Sequence, residues 1–117
     1  MLLLRTAAQD DYFLASLSGL VAVEAWDKGL GELEAALAGV PHDRLVIDLT
    51  GLVGWLGVPE RTQVGALMAS HLQRMKKVAM FIQSEKIAGV VEAEARRQGL
   101  DLKLFPNQQA AVAWAVS

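Results

Sequence analysis

The segment of residues 45–51 constrains the fold of this chain more than any other. It reads Leu-Val-Ile-Asp-Leu-Thr-Gly, an apolar run that ends in a glycine. Such a run is typical of a parallel strand that helices cover on both faces. Residues 52–59 follow it and carry no charge. Because ligands and partners bind where the parallel strands of an α/β sheet end, the sequence predicts a functional edge at this junction.

Strands and helices alternate along the rest of the chain. Strands are predicted at residues 2–8, 11–18, 44–50, 77–82 and 102–105, and helices at 21–38, 59–75, 84–98 and 108–116. Ser84 and Asn107 are the predicted caps of the last two helices, and Gly99 follows the third. The resulting order, ββαβαβαβα, predicts an α/β fold with a mixed, mostly parallel sheet and helices on both faces. The initial hairpin adds one antiparallel strand.

Apolar periodicity predicts the core. One helix has a stripe at helical spacing, formed by Val23, Trp26, Leu30, Leu33 and Leu37. The central sheet is predicted to contain Val46, Ile47, Val78, Met80, Phe81 and Leu104. Met68 and Met75, together with Met80, are interpreted as core residues rather than as a binding surface.

Composition excludes several classes of function. The chain has 117 residues, no cysteine and a net charge of −2. These values argue against nucleic-acid binding, thiol catalysis and cysteine-based metal sites. Arg5 interrupts the apolar start, and no apolar run approaches the ~18 residues that span a bilayer. We therefore expect a cytoplasmic protein that is not transmembrane and needs no cofactor.

Two motifs resemble known families. Residues 46–51 resemble the end of the central strand in STAS domains, where two hydrophobic residues precede Asp-Leu-Ser-Gly. Residues 102–107 end in Phe-Pro-Asn, and Trp114 follows in a short helix, as in the closing signature of the SpoIIAA-like family. The resemblance implies a single SpoIIAA-like or STAS-like domain over residues 1–117. The similarity of that family to the lipid-binding CRAL-TRIO fold implies an apolar ligand as one alternative.

One feature of the related antagonists is missing. Anti-sigma-factor antagonists of this fold carry a phosphorylatable serine in the turn at the start of the following helix. Here that turn is Leu56-Gly57-Val58-Pro59, which has no hydroxyl group. We therefore expect no phosphorylation at this turn.

Few residues suggest catalysis. His42 and His71 lack the spacing of a metal site, and Ser70 points about 100° away from His71 on a helix. Asp48 has two interpretations: a functional carboxylate, or the favoured one, an acceptor for backbone N–H groups of the next turn. Glycines 51, 54 and 57 match neither phosphate-binding motif, since the Lys-Ser/Thr pair and the GxGxxG spacing are absent.

The candidate contact residues lie on the uncharged loop and at the start of the third predicted helix. They are Thr50, Gly51, Trp55, Leu56, Gly57, Val58 and Ser84. Trp55 and Leu56 either form a contact surface or fold back as a plug over the core. The leading hypothesis is a non-enzymatic regulatory module that binds a protein partner, a second copy or a small apolar molecule. The alternative is a hydrolase-like enzyme that uses Asp48 and Thr50.

Overall fold

A computed structural model describes residues 1–87 and 89–117 of the chain. Its strands are β1 (Leu2–Ala8), β2 (Phe13–Leu20), β3 (Arg44–Asp48), β4 (Leu52–Val53), β5 (Lys77–Phe81) and β6 (Leu102–Phe105). Its α-helices are α1 (Val23–Leu37), α2 (Val58–Leu72), α3 (Val90–Arg97) and α4 (Gln108–Ala115).

The strands form one mixed sheet in the order β1-β2-β3-β5-β6. β1 is antiparallel to β2, whereas β2–β3, β3–β5 and β5–β6 are parallel pairs. The short strand β4 adds to the end of β2, also in parallel. The predicted α/β architecture is therefore confirmed, with β4 as an element that the sequence pattern did not reveal.

Helices cover both faces of the sheet unequally. α1, α2 and α3 pack on one face, where strand residues such as Leu17, Ile47 and Met80 are fully buried. On the other face α4 packs against β3, β5 and β6, with Ala111 and Ala115 at the contact. The predicted core residues Met68 and Met75 also lie inside the larger cluster.

Local signals placed several boundaries correctly. β1 spans the predicted residues, and the Asn107 side chain accepts a hydrogen bond from the Ala110 N–H at the start of α4. Gly99 has a φ of 100°, and the Leu100 N–H donates to the Ala95 carbonyl, which ends α3 as predicted.

The third helix was predicted too long. Ser84 does not cap it: Ser84 begins a short 3₁₀ turn, Ser84–Lys86, and Ile87 then has an extended conformation. α3 begins only at Val90, after Gly89, whose φ of 79° is incompatible with a helix interior. Ala88, which falls within the predicted helix, lies outside the described residues. α2 also ends earlier than predicted, at Leu72.

Candidate functional site

A small apolar cavity lies where the parallel strands end. Its volume is about 100 Å³, and it lies between the loop after β3 and helices α1, α2 and α3. Its apolar walls include Trp26, Leu49, Met68, Met80, Ile82 and Leu104. Of the candidate contact residues, Trp55 and Leu56 line this cavity. The structure thus places part of the predicted contact loop (residues 50–58) beside a cavity at the carboxyl edge of the sheet.

Asp48 and Thr50 form a closed turn after β3. The Thr50 N–H and the Thr50 Oγ1 hydroxyl both donate to Asp48 Oδ1, at 2.8 and 2.6 Å. This is the structural interpretation that the sequence favoured, in which the carboxylate satisfies its own turn. Neither residue lines the cavity.

The histidines lie away from this turn. His42 Nε2 lies 2.6 Å from the Gln9 carbonyl oxygen, and His71 bonds to Asp27 and Glu34 on α1. Nucleophilic catalysis by a hydroxyl requires a base within hydrogen-bond reach, with a third group to orient it. The positions of the histidines do not supply that arrangement around Thr50.

Backbone contacts hold the contact loop against β2. The Gly19 N–H donates to the Gly51 carbonyl at 3.1 Å, and the Val21 N–H donates to the Val53 carbonyl at 2.9 Å. A Cβ atom on Gly51 would lie 2.7 Å from the Ser18 Cβ, so the approach requires glycine. Gly54 then turns the chain with a φ of 97°.

After this turn the two large apolar side chains diverge. The Trp55 residue is 62% exposed, whereas Leu56 is half-buried and packs against the larger core cluster. Trp55 therefore fits the contact-surface interpretation, and Leu56 fits the interpretation as a plug over the core. The Arg61 guanidinium lies 5.2 Å from the centroid of the Trp55 ring, which favours a cation–π contact. Val53 and Val58 are also exposed on the same loop and helix start.

The segment after β5 is tied to the contact loop. The Gln83 side chain donates to the Thr50 carbonyl at 2.9 Å, and Lys86 Nζ donates to the Leu52 carbonyl at 3.2 Å. These bonds bring the neighbourhood of Ser84 to the loop, although Ser84 itself does not line the cavity. Gly57 forms the exposed N-cap of α2.

Charged residues at the cavity were not predicted from the sequence. Arg61, Lys86 and Glu92 all line it. The Glu92 carboxylate accepts a hydrogen bond from the Leu104 N–H at 2.7 Å, which commits one of its oxygens to the protein. Nothing in the local sequence distinguishes Arg61 or Lys86 from other surface cations, since tertiary contacts alone bring them here.

Other kinds of site have little support in the described part of the chain. Over residues 1–87 and 89–117, no three His, Asp or Glu side chains come together in a way that would hold a metal ion. In the same ranges, no helix combines the length and the apolar character that crossing a bilayer requires.

Comparison with known proteins identifies the fold. No protein-family model matches the chain, and no curated protein matches it in sequence. Among solved structures, an uncharacterized protein of the DUF3478 family with a SpoIIAA-like fold, from Shewanella loihica PV-4, is 25% identical with a TM-score of 0.64. The match covers 97% of this chain and 93% of that one.

Two further structures have the same arrangement. An anti-sigma factor antagonist from Mycobacterium paratuberculosis is 16% identical with a TM-score of 0.66, over 100% of this chain and 96% of its own. A serine-to-glutamate variant of RsbS from Moorella thermoacetica is 18% identical with a TM-score of 0.60, over 96% and 93%. Together with the strand order and the mixed sheet, these similarities show that the chain has the SpoIIAA-like, or STAS-like, fold.

Proposed function

We propose that this protein is a non-enzymatic regulatory module of SpoIIAA-like type that binds a protein partner at the carboxyl edge of its sheet. The observation that carries the proposal is the small apolar cavity beside the exposed Trp55. Exposed tryptophans next to an apolar pocket are characteristic of interaction hot spots. We propose further that residues 1–117 act as one such domain in the cytoplasm.

The size of the cavity favours a protein partner over a small molecule. Pockets that enclose drug-sized ligands measure about 300–1,000 Å³, and an engineered apolar cavity of about 150 Å³ binds benzene. At about 100 Å³, this cavity has room for one apolar side chain. A partner that inserts a single anchor and covers Trp55 fits that volume better than a lipid chain does.

The proposed contact surface consists of the seven residues singled out in the sequence. Trp55 and Leu56 lie at the cavity, Thr50 and Gly51 lie on the preceding turn, Gly57 and Val58 begin α2, and Ser84 lies on the adjoining segment. The similarity to an anti-sigma factor antagonist supports a protein partner, because such antagonists act through other proteins.

Regulation by phosphate at the start of α2 is not part of this proposal. Residues 56–59 offer no hydroxyl; exposed hydroxyl groups in the neighbourhood include those of Thr50 and Ser84, and that of Thr62 on α2, which donates to the Val58 carbonyl. After incubation with a kinase specific for STAS serines, we expect mass spectrometry to find this turn unmodified. Phosphate on Thr50 or Ser84 in that experiment would establish a switch at another position.

A photo-crosslinking experiment tests the proposal. We would place p-benzoylphenylalanine at position 55, and as a control at position 116, where the exposed Val116 lies beyond the end of α4. We expect cross-linking in cells to capture a defined protein only from position 55. With that protein purified, Trp55→Ser should weaken binding about 30-fold in calorimetry, and Val116→Ser should not.

The competing functions predict other results. A stoichiometric small molecule in native mass spectra of the freshly purified protein, without a cross-linked protein, would favour the apolar-ligand alternative. Turnover that disappears with Thr50→Val and survives Trp55→Ser would favour the enzyme alternative and contradict our proposal.

A further inference from the structure

The two outer edges of the sheet differ in how their backbone groups are satisfied. At β6 the Asp101 and Phe105 carbonyls accept from the N–H groups of Val78 and Ile82, so the backbone groups of Leu102 and Leu104 face away from β5. Side chains of α3 form hydrogen bonds with outward backbone groups of both residues. Arg96 Nε donates to the Leu102 carbonyl at 2.8 Å, and the Leu104 N–H donates to the Glu92 carboxylate at 2.7 Å. This edge is therefore closed by its own chain.

The β1 edge has no such cover. Beyond β1, the Gln9 N–H donates to the Tyr12 carbonyl at 2.9 Å. Hydrogen-bonded pairs alternate in an antiparallel ladder, so the bonded pairs within β1 are those of Leu3, Arg5 and Ala7 with β2. The backbone N–H and C=O groups of Leu4, Thr6 and Ala8 consequently point outward. Within residues 1–87 and 89–117, none of the backbone hydrogen bonds outside the helices and strand ladders reaches these outward groups.

β1 has few of the features that keep exposed edges unpaired. Such strands are commonly short, bulged, or protected by proline or by charged side chains, lysine above all. β1 has seven residues and pairs with β2 without interruption, and Arg5 is its single charged residue. Thr6, Ala7 and Ala8 are exposed, and Leu3 on the uncovered face is 57% exposed.

We propose that β1 pairs antiparallel with β1 of a second copy of this chain, which joins the two sheets across a two-fold axis. This interface is separate from the cavity and goes beyond the proposed function. The outward backbone groups of one strand match those of an identical strand run in the opposite direction, as an isologous contact requires. Addition of a strand to an open edge is a recurrent mode of protein association.

Charge disfavours one register for this pairing. A two-fold axis at Arg5 would place two arginines directly opposite one another, which is unfavourable. An axis at Thr6 pairs Thr6 with its own copy, Leu4 with Ala8, and Arg5 with Ala7. In that register Arg5 has no like charge directly opposite it. We therefore infer that the axis passes through Thr6.

Backbone substitution tests the edge. We expect sedimentation equilibrium to show a dimer that dissociates on dilution. Thr6→Pro removes the outward N–H groups at the centre of the interface and leaves the bonded pairs with β2 intact, so the dimer dissociation constant should rise about tenfold or more. Thr6→Val keeps the N–H and should leave that constant within about threefold of the original value. A wild-type monomer up to millimolar concentration, or a dimer unaffected by Thr6→Pro, would overturn the proposal.

A charge pair at position 7 tests the register and leaves the backbone unchanged. In the inferred register, residue 7 lies opposite the second copy's Arg5. Ala7→Lys should raise the dissociation constant about threefold or more, and Ala7→Glu should lower it by a similar factor. These exposed substitutions remain informative even where Thr6→Pro prevents folding. The same response to both charges would refute the interface.

Discussion

At the scale of single residues, Asp48 shows why an acidic residue is tolerated at the end of a buried strand. One of its carboxylate oxygens accepts hydrogen bonds from both the N–H and the hydroxyl of Thr50. Local sequence was sufficient to predict this, because an Asp followed two residues later by a free N–H commonly forms such a turn. The sequence was not sufficient to predict the different directions of Trp55 and Leu56, the two residues after Gly54.

Trp55 and Leu56 should respond differently to the same substitution. Trp55→Ser should change the free energy of unfolding by less than about 0.5 kcal/mol, because the residue is 62% exposed. Leu56→Ser should lower it by about 1–2 kcal/mol, because the side chain packs partly against the core. Urea denaturation at several protein concentrations measures both values. A loss with Trp55→Ser as large as that with Leu56→Ser would assign Trp55 to the core instead.

The sequence could not separate these neighbours, for a conformational reason. Both are large and apolar, and both follow a glycine-rich turn without periodicity. Their directions depend on the left-handed conformation of Gly54 and on the backbone bonds that hold the loop against β2. The same bonds depend on the approach of Gly51 to Ser18, a contact between distant parts of the chain.

At the scale of elements, periodicity predicted the helices that pack through a full apolar stripe. α1 buries Trp26, Leu30, Leu33 and Leu37 as its spacing indicates. The third helix was predicted too long because Ser84 has the chemistry of a cap, yet Ser84 lies inside a 3₁₀ turn whose N-cap is Gln83 and which has no side-chain capping bond. Bonds from Gln83 and Lys86 to the contact loop hold that segment out of the helix, and a sequence pattern does not reveal them.

The contact between α2 and α3 depends on Gly65. A Cβ atom there would lie 2.7 Å from the Val91 carbonyl oxygen and 2.8 Å from the Glu94 Cβ. Gly65→Ala should therefore lower the free energy of unfolding by about 1–3 kcal/mol, despite the better helix propensity of alanine.

Gly31 on α1 provides the matched control. A Cβ atom at Gly31 would meet only the His71 Cε1, at an ordinary 3.8 Å. Gly31→Ala should therefore raise the free energy of unfolding by about 0.5–1 kcal/mol. Thermal and denaturant unfolding of the two variants measures the difference. Equal effects would mean that α2 and α3 do not pack closely at Gly65.

His71 should make the α1–α2 contact sensitive to pH. Its ring nitrogens lie 2.8 Å from the Glu34 carboxylate and 2.9 Å from the Asp27 carboxylate. The hydrogen bond with Glu34 is the main cause that raises the pKa of His71; partial burial opposes this effect, and Asp27 adds to it. Because the pKa is raised in the folded protein, the stabilisation is fully present below about pH 6.5, the ordinary value.

The stabilisation should then be lost as the pH rises through the folded pKa of His71. We expect the free energy of unfolding to fall over this range in the wild-type protein and to stay nearly level in His71→Gln. Denaturant titrations at closely spaced pH values measure these slopes. A slope that persists in His71→Gln would assign the effect to other groups.

At the scale of the whole molecule, the sequence predicted the sheet and the loop at its carboxyl edge better than the cavity beside that loop. Alternating strands and helices imply the topology, because parallel strands need crossovers. The cavity depends on distant partners: Trp26 on α1, Met68 on α2 and Leu104 on β6 meet there only after folding. The positions of Arg61 and Lys86 at the cavity likewise depend on tertiary contacts.

The two faces of the sheet should also differ in stability. Three helices cover one face, whereas α4 covers the other and contributes only two fully buried alanines, Ala111 and Ala115. Lys77 anchors the C-terminal end of α4: its Nζ donates to the Trp114 carbonyl at 3.2 Å and to the Ser117 hydroxyl at 2.8 Å. Because the cluster under α4 has fewer buried residues than the cluster on the other face, we expect α4 to open before the rest of the molecule.

Native-state hydrogen exchange measures this opening. Amides of α4 should exchange with a lower opening free energy than the amides of β3 and β5, which lie at the centre of the sheet. Lys77→Met should speed the exchange of α4 about tenfold, because the carbonyls at its end lose a charged donor. Lys76→Met is the matched control, since the Lys76 side chain is exposed beside the same strand. Exchange of α4 and the central strands at one common free energy would show that α4 unfolds only with the whole molecule, and that its few buried contacts suffice to couple it to the core.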